Sequence, residues 1–185
     1  MRRREALKYT SLFTGAALSA GTISAIVTGC KADPALDWTP EALSAQQAIL
    51  VSEIAERIIP KTDTPGAKDA MISRFIDSAI ATNFSEVEKA NFLDGLELFQ
   101  TISQDKFDKS FVELSPQNMD EVMTAVVADS KDKKDHIWPA IKGLTLTGFF
   151  NSEIGLTEFL KYDPVPGEWK GCIDYAEVGA MWSLG

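Results

Sequence analysis

The feature that most constrains the fold of this chain is a succession of short apolar stripes at helical spacing, separated by start and stop signals. Ser44 and Ser85 are each followed three residues later by Gln or Glu, the pattern of a capping box at a helix N-terminus. Ser115 precedes a proline in the first helical position. The residues predicted to face inward are Leu50, Val51, Ile54, Ala55, Ile58, Ile59, Ile72, Phe75, Ile76, Ala79, Ile80, Val87, Leu93, Leu96, Phe99, Ile102, Met119, Val122, Met123, Val126 and Val127. Because no segment alternates long enough to indicate a strand, the sequence predicts an all-α fold, a compact bundle of about five or six helices.

Prolines, glycines and charged residues mark the connections between these stripes. The first predicted helix stops at Pro60, and residues 61–67 are predicted to turn because they contain both proline and glycine. Residues 129–135 form a run of mixed charge that is typical of a solvated loop. His136 follows this run and is predicted to lie on the surface. The helical pattern returns from Ile137.

The C-terminal end departs from the helical pattern. Ser152 is predicted to cap a short helix after the last stripe. Residues 162–185 contain prolines and glycines without any period, so we expect an irregular strap there. Aromatic side chains crowd this end of the chain: Phe149, Phe150, Tyr162, Trp169, Tyr175 and Trp182. Such a density suits either a core or a protein interface, and both interpretations stay open at this point.

The first 29 residues are predicted to be an export signal rather than part of the fold. Arg3, Arg4, Leu7 and Lys8 resemble the twin-arginine export pattern, and an apolar run follows them. The run ends in Val-Thr-Gly and Cys30, which resembles a bacterial lipobox whose thiol is acylated. A Sec-type signal and a membrane anchor are the alternatives, but the run is too rich in Gly, Ser and Thr for a span of roughly 20 apolar residues.

These segments divide the chain into four parts. We expect a signal peptide at 1–29, a linker at 30–43 after the lipidated cysteine, a helical domain at 44–161 and the strap at 162–185, which is the predicted partner-binding segment. The corresponding location is the bacterial cell envelope, facing the periplasm and anchored to the membrane by lipid on the cysteine. A lysine rather than an aspartate follows that cysteine and favours the outer membrane.

The charge of the body limits its partners. The whole chain carries a formal charge of −9, and 14 basic against 26 acidic side chains remain after residues 1–29, which leaves the body near −12. A nucleic-acid surface needs clustered Lys and Arg to displace counterions. The sequence therefore argues against a nucleic-acid partner.

The chain offers few residues for chemistry of its own. It has no G-x-G-x-x-G fingerprint, no haem attachment motif and no cysteine cluster, and His136 is its single histidine. Glu153, Glu158 and Asp163 could pair as general acid and base, but their spacing is not specific, and Glu153 also suits a helix N-terminus. We predict no catalytic, cofactor-binding or metal-binding residue in this chain. The twin-arginine route exports proteins that are already folded, and this chain has no cofactor motif that would require folding before export. The signal therefore suggests that this chain takes another, cofactor-containing protein across the membrane.

Cys172 is the cysteine left over once Cys30 is acylated. A lone thiol facing an oxidising compartment indicates either a pairing with another protein or a buried, inert site. Its glycine-flanked position in the strap favours an exposed or interfacial location, and makes it a candidate for an intersubunit disulfide.

Four segments carry a family resemblance. Residues 56–67 (ERIIPKTDTPGA), 145–155 (TLTGFFNSEIG) and 162–167 (YDPVPG), followed by Gly-Cys at 171–172, resemble the gluconate 2-dehydrogenase subunit 3 family. The similarity extends over nearly the whole chain, including the signal.

The resemblance implies a small, non-catalytic subunit of a periplasmic flavoprotein dehydrogenase that oxidises sugars, sugar acids or glycosides. The large subunit, of the glucose-methanol-choline oxidoreductase type, would hold FAD, and a cytochrome c would take the electrons. The small subunit would supply the export signal, stabilise the large subunit and, through Cys30, tether the pair. The candidate partner interface consists of Phe149, Phe150, Tyr162, Asp163, Pro164, Pro166 and Trp169.

Two hypotheses of other classes stay open. One is a free-standing helical envelope lipoprotein that binds a small ligand or acts as a scaffold. The other is an enzyme that uses the acidic residues of the strap. This hypothesis is the weakest of the three, because the chain contains few groups suited to catalysis. A neighbouring gene for a flavoprotein with a dinucleotide fingerprint would favour the accessory subunit over both.

Overall fold

The computed structural model describes residues 36–131, 133, 135–165, 167–168 and 170–183. Its helices are α1 (Ala45–Ile58), α2 (Ile72–Asn83), α3 (Glu86–Phe107), α4 (Pro116–Asp129), α5 (Ile137–Phe150) and the single turn α6 (Tyr175–Val178). A 3₁₀ turn at Phe111–Glu113 precedes α4, and a π turn at Gly155–Phe159 follows α5. Within the described residues there is no strand, only an isolated bridge between Lys161 and Trp182. The predicted all-α fold is confirmed.

Part of the sequence-based prediction falls on residues outside this description. They are Arg3, Arg4, Leu7, Lys8, Cys30, Pro166 and Trp169. In the portion that the structure describes, no helix is both long and apolar enough to cross a membrane.

The predicted helix starts are confirmed by their hydrogen bonds. The Ser44 hydroxyl accepts from the Gln47 N–H at 3.2 Å, and the Gln47 side-chain oxygen accepts from the Ser44 N–H at 2.9 Å. Ser85 and Glu88 make the same exchange at the start of α3. There the Ser85 hydroxyl, followed by its backbone N–H, holds the pKa of the Glu88 carboxyl below its usual value. Ser115 caps α4, whose first residue is a proline.

The core is built around α1, which packs against α2, α4, α5 and the 3₁₀ turn. Phe99 and Phe111 are fully buried and meet edge to face, with their ring centroids 5.9 Å apart. The predicted inward residues that the structure buries are Leu50, Val51, Ile54, Ala55, Ile72, Ile76, Ile80, Leu96, Phe99, Met119, Val122, Met123 and Val126. Most of the predicted inner faces are therefore confirmed, and burial of these stripes stabilises the bundle.

Two of the predicted inward residues lie differently. Val87 is 70% exposed, because it lies nine positions before the buried Leu96 and so about 180° around α3 at 100° per residue. Phe92 takes the buried place instead. Phe75 is only partly covered, since it lies across Gly148 of α5 at the edge of the bundle, where a β-carbon on the glycine would fall 2.5 Å from the Phe75 ring.

The predicted surface position of His136 is wrong. Its side chain is only 6% exposed, and its Nδ1 accepts a hydrogen bond from the Trp138 N–H at 3.0 Å, so the imidazole acts as the N-cap of α5. Its Nε2 lies 3.3 Å from an Asp129 carboxylate oxygen. The sequence signal for this arrangement was a histidine at the position before a helix, where a side-chain acceptor satisfies a free N–H.

A buried carboxylate fastens the segment before α1 to the bundle. Asp77 of α2 is 2% exposed and accepts three hydrogen bonds, from the N–H groups of Glu41 (2.8 Å), Ala42 (3.0 Å) and Leu43 (2.8 Å). Earlier in the same segment, the Asp37 carboxylate accepts a hydrogen bond from the Arg74 guanidinium at 2.6 Å. Leu36 and Trp38 pack on the core. The described part of the predicted linker is thus joined to the folded body.

Replacing Asp77 should destabilise the whole domain. In Asp77→Ala three N–H groups lose a charged acceptor in a buried place, and we expect the free energy of unfolding to fall by about 3 kcal/mol. Asp77→Asn should lie between, because its amide keeps one acceptor oxygen. The measurement is chemical denaturation followed by circular dichroism.

The matched control is Asp94→Ala. Asp94 is exposed on α3, so its replacement should change the free energy of unfolding by less than about 0.5 kcal/mol. Equal stabilities of Asp77→Ala and Asp94→Ala would contradict the anchoring role of Asp77.

Candidate functional site

The turn after α1 is organised by the carboxylate of Glu56. One oxygen accepts from the Lys61 N–H and the other from the Lys68 N–H, both at 2.9 Å. Gly66 lies directly against this group, so that a β-carbon there would fall 2.6 Å from the Lys61 nitrogen and 2.7 Å from a Glu56 oxygen. The turn can close in this way only with glycine at position 66.

A second carboxylate closes the same turn. Asp69 accepts from the Gly66 N–H and from the Lys61 ammonium, both at 3.0 Å. The Gly66 N–H, and after it the Lys61 side chain, hold the pKa of the Asp69 carboxyl below its usual value. The Ala67 N–H also donates to the Ile59 carbonyl at 2.9 Å. The tip of the turn, residues 62–65, is therefore presented on a fixed support.

The chain reverses sharply after α5. The Ser152 hydroxyl donates to the Phe149 carbonyl at 2.7 Å and accepts from the Gly155 N–H at 3.0 Å, so the predicted cap is confirmed. A β-carbon at Gly155 would collide with the same carbonyl. The π turn that follows ends where the Leu160 N–H donates to the Gly155 carbonyl at 2.9 Å.

Three phenylalanine rings join this reversal to the core. Phe149, Phe150 and Phe159 contact one another edge to face, with ring centroids 5.5 to 5.6 Å apart. Phe149 is fully buried, whereas Phe150 is half-buried and Phe159 is 39% exposed. The prediction that Phe149 lies at an interface is wrong, because its helical position directs it into the core one residue before the helix ends.

The strap returns to the body near its end. The Lys161 N–H donates to the Met181 carbonyl at 2.8 Å, and the Ser183 N–H donates to the Lys161 carbonyl at 3.0 Å. The Lys161 ammonium lies 4.5 Å from the centre of the Trp182 ring, a cation–π contact. These bonds close the base of the strap, and its described residues between 162 and 180 are irregular except for the single turn α6.

Between the phenylalanine rings and the end of the strap lies an apolar groove of about 910 Å³. Its walls are Thr64, Phe150, Asn151, Leu156, Phe159, Leu160, Tyr162, Tyr175, Gly179, Ala180, Met181 and Trp182. Several large apolar side chains that the described structure leaves exposed are among these walls: Phe159, Tyr162, Tyr175, Met181 and Trp182. Contiguous apolar surface of this kind is typical of an interaction site.

The structure brings only some of the predicted interface residues to this groove. Phe150 and Tyr162 line it. Asp163 and Pro164 are exposed but are not among its walls, and Asp163 accepts from the Val165 N–H at 3.1 Å in a local turn. Cys172 is an exposed free thiol.

Sequence reasoning missed several groove residues, among them Leu156, Phe159 and Thr64. A sequence signal for the first two was available, because both follow the predicted Ser152 cap and are three residues apart, the spacing of one helical face. Thr64 lies more than 80 residues before them in the sequence, and no local pattern connects the two regions.

An acidic hollow of about 460 Å³ adjoins the groove at Thr64, which lines both. Its other walls are Lys61, Thr62, Asp63, Pro65, Asp69, Ile154 and Glu158. Three carboxylates therefore face one ammonium. Of the three acidic residues considered for acid–base chemistry, Glu158 lines this hollow, while Glu153 and Asp163 do not. Within the described ranges, no cluster of three or more His, Cys, Asp or Glu residues could hold a metal ion.

A sequence model described as gluconate 2-dehydrogenase subunit 3 matches residues 45–167. The match confirms the resemblance seen in residues 56–67 and 145–155, while the signal and Gly171-Cys172 lie outside it. The description is that of a subunit of a dehydrogenase complex, which agrees with the predicted accessory role. Comparison with curated proteins and with solved structures gives no match.

The surroundings of two glycines, one in the turn after α1 and one in α5, predict opposite effects of replacement by alanine. Gly66→Ala forces the Lys61 backbone and Glu56 apart, and should lower the free energy of unfolding by about 1–3 kcal/mol. Gly143→Ala lies inside α5, where no atom comes within 4 Å of an added β-carbon, and should raise the stability by about 0.5–1 kcal/mol. Thermal and urea unfolding of both variants measure the difference. A neutral Gly66→Ala would contradict the close approach to Glu56.

Proposed function

Because the chain belongs to the gluconate 2-dehydrogenase subunit 3 family, we propose that it is the non-catalytic small subunit of a flavin-dependent dehydrogenase. The partner is a large subunit of the glucose-methanol-choline type that holds FAD and oxidises a sugar, a sugar acid or a glycoside, with a cytochrome c as electron acceptor. This chain supplies the export signal, stabilises the large subunit and tethers the pair to the membrane from the periplasmic side.

The family match over residues 45–167 is the observation that carries the proposal. The N-terminal pattern supports the export role independently. Arg3 and Arg4 begin a signal of the type used for proteins that cross the membrane already folded. Such a route suits a large subunit that acquires its flavin before export. Cys30 then provides the lipid anchor, with the outer membrane as its proposed location.

The surface of the body supports a binding role. Apolar side chains exposed together are unfavourable in water and are typical of a surface that another protein covers. Among the described residues, four of the exposed apolar side chains that line the groove are Tyr162, Tyr175, Met181 and Trp182. Tyrosine, tryptophan and methionine are also the residue types that protein interfaces favour.

The export role is tested by replacing the arginine pair. In Arg3→Lys with Arg4→Lys, the proposed flavoprotein partner should stay in the cytoplasm, because its escort no longer enters the folded-protein route. The measurement is flavin-linked dehydrogenase activity in cytoplasmic and envelope fractions of the native host.

Arg2→Lys is the matched control, since it changes a neighbouring arginine outside the pair and should leave export intact. A flavoprotein that still reaches the envelope and works in the double variant would contradict the escort role. A wild-type chain that is extracted from the envelope as a monomer, with no flavoprotein bound, would favour the free-standing lipoprotein instead.

The exposed thiol makes a separate prediction. Cys172 is accessible in the isolated chain, and we expect it to form a disulfide with the large subunit in the oxidising periplasm. Non-reducing electrophoresis of the purified pair should show one band containing both chains, which separates in Cys172→Ser or after reduction. Two separate chains in the unreduced wild type would contradict the disulfide and leave the escort role standing.

A further inference from the structure

The apolar groove and the acidic hollow form one composite surface, because Thr64 belongs to both. Resting on the proposed function, we infer that the partner subunit docks there through a basic segment: an apolar side chain of that segment fills the groove, and an adjacent arginine or lysine reaches the hollow. This names the chemistry of the contact within the proposed complex.

The groove is suited to a bulky apolar side chain. Phe150 and Phe159 provide aromatic walls on one side, while Met181 and Trp182 provide the other. Both sides are held in place without a partner, the first by the three-ring contact with the core and the second by the backbone hydrogen bonds of Lys161. A preformed site loses less conformational freedom on binding, which favours affinity.

The charges of the hollow favour a basic side chain next to the apolar one in the partner segment. Lys61 is already paired with Asp69 at 3.0 Å. Among the described residues, Asp63 and Glu158 have no ion-pair partner, so the hollow keeps two uncompensated carboxylates. An arginine or lysine placed there would be favoured by both, and more strongly once the contact excludes water.

The same charges decide against two other occupants. Residues 151–183 contain six acidic and two basic side chains, and the whole body is near −12. A second copy of this chain would place like charges against each other, and an anionic membrane surface would do the same. Electrostatic complementarity therefore selects a basic segment of a different protein.

The sequence segments that supply the groove walls are consistent with a partner-binding surface. Thr64 comes from the first of the family segments, residues 56–67, whereas Phe150 and Asn151 come from the second, residues 145–155. Both segments lie inside the range that the family sequence model matches. The two stretches that identify the chain thus meet at one surface of the folded body.

Charge reversal at the hollow tests the inference. The double variant Asp63→Lys with Glu158→Lys, as full chain in detergent, should bind the flavoprotein subunit at least about tenfold more weakly than wild type, because attraction becomes repulsion. The matched control is Asp94→Lys with Glu97→Lys, which changes the net charge equally on the exposed side of α3 and should stay within about twofold of wild type. Dissociation constants are measured for all three chains at two salt concentrations.

Photo-crosslinking tests the groove itself. The crosslinking amino acid p-benzoylphenylalanine at position 182 should form an adduct with the flavoprotein, and the adduct peptide should contain an arginine or lysine beside an apolar residue. The same amino acid at position 87, which is more exposed but lies on α3, should form none.

The outcomes separate the two levels of the argument. If the wild-type chain binds the flavoprotein while the hollow variant binds equally well, or if position 182 crosslinks to a second copy or to lipid, the docking mode is overturned and the accessory role stands. If the wild-type chain binds no flavoprotein at all, the proposed function fails and the docking mode with it.

Discussion

Burial of the α1 stripe against α2, α4 and α5 is the constraint on which the rest of the structure depends. It fixes the end of α1 in space, and with it Glu56, whose carboxylate holds the backbone of the following turn at two points. The turn in turn places Thr64 at the meeting point of the groove and the hollow. The position of Thr64 on the surface therefore depends on the core through α1 and the Glu56 carboxylate at its end.

The fold could be predicted from the sequence because its signals are local. Ser44, Ser85 and Ser115 identify helix starts through hydrogen bonds that span only a few residues. The inner faces follow from the helical period. Two of the errors lie at helix starts: Val87 in the first turn of α3, and His136, whose ring caps α5 instead of facing water. The third, Phe75, lies inside α2 but at the edge of the bundle, where the helical period alone does not show how much a neighbouring helix covers.

The site could be predicted only in part because it depends on long-range contacts. The aromatic density of residues 149–182 marks the segment that supplies most walls of the groove, and Phe150 and Tyr162 are among them. The sequence could not show that Phe149 turns inward one residue earlier, or that the turn at 61–67 packs beside residues 151–160. The first depends on the packing of α5 in the bundle, and the second on the reversal after α5, where Gly155 lies against the Phe149 carbonyl.

The physical properties of the groove also bear on the proposed association with a partner subunit. Ring contacts hold Phe150 and Phe159, and backbone hydrogen bonds of Lys161 hold the segment at Met181, while Tyr162, Met181 and Trp182 remain exposed. Exposed apolar surface has an unfavourable hydration free energy, which a bound partner would remove. The body also carries a net negative charge, and like charges oppose the association of two copies. Apolar exposure and acidity are therefore both consistent with the proposed association with a different and more basic protein.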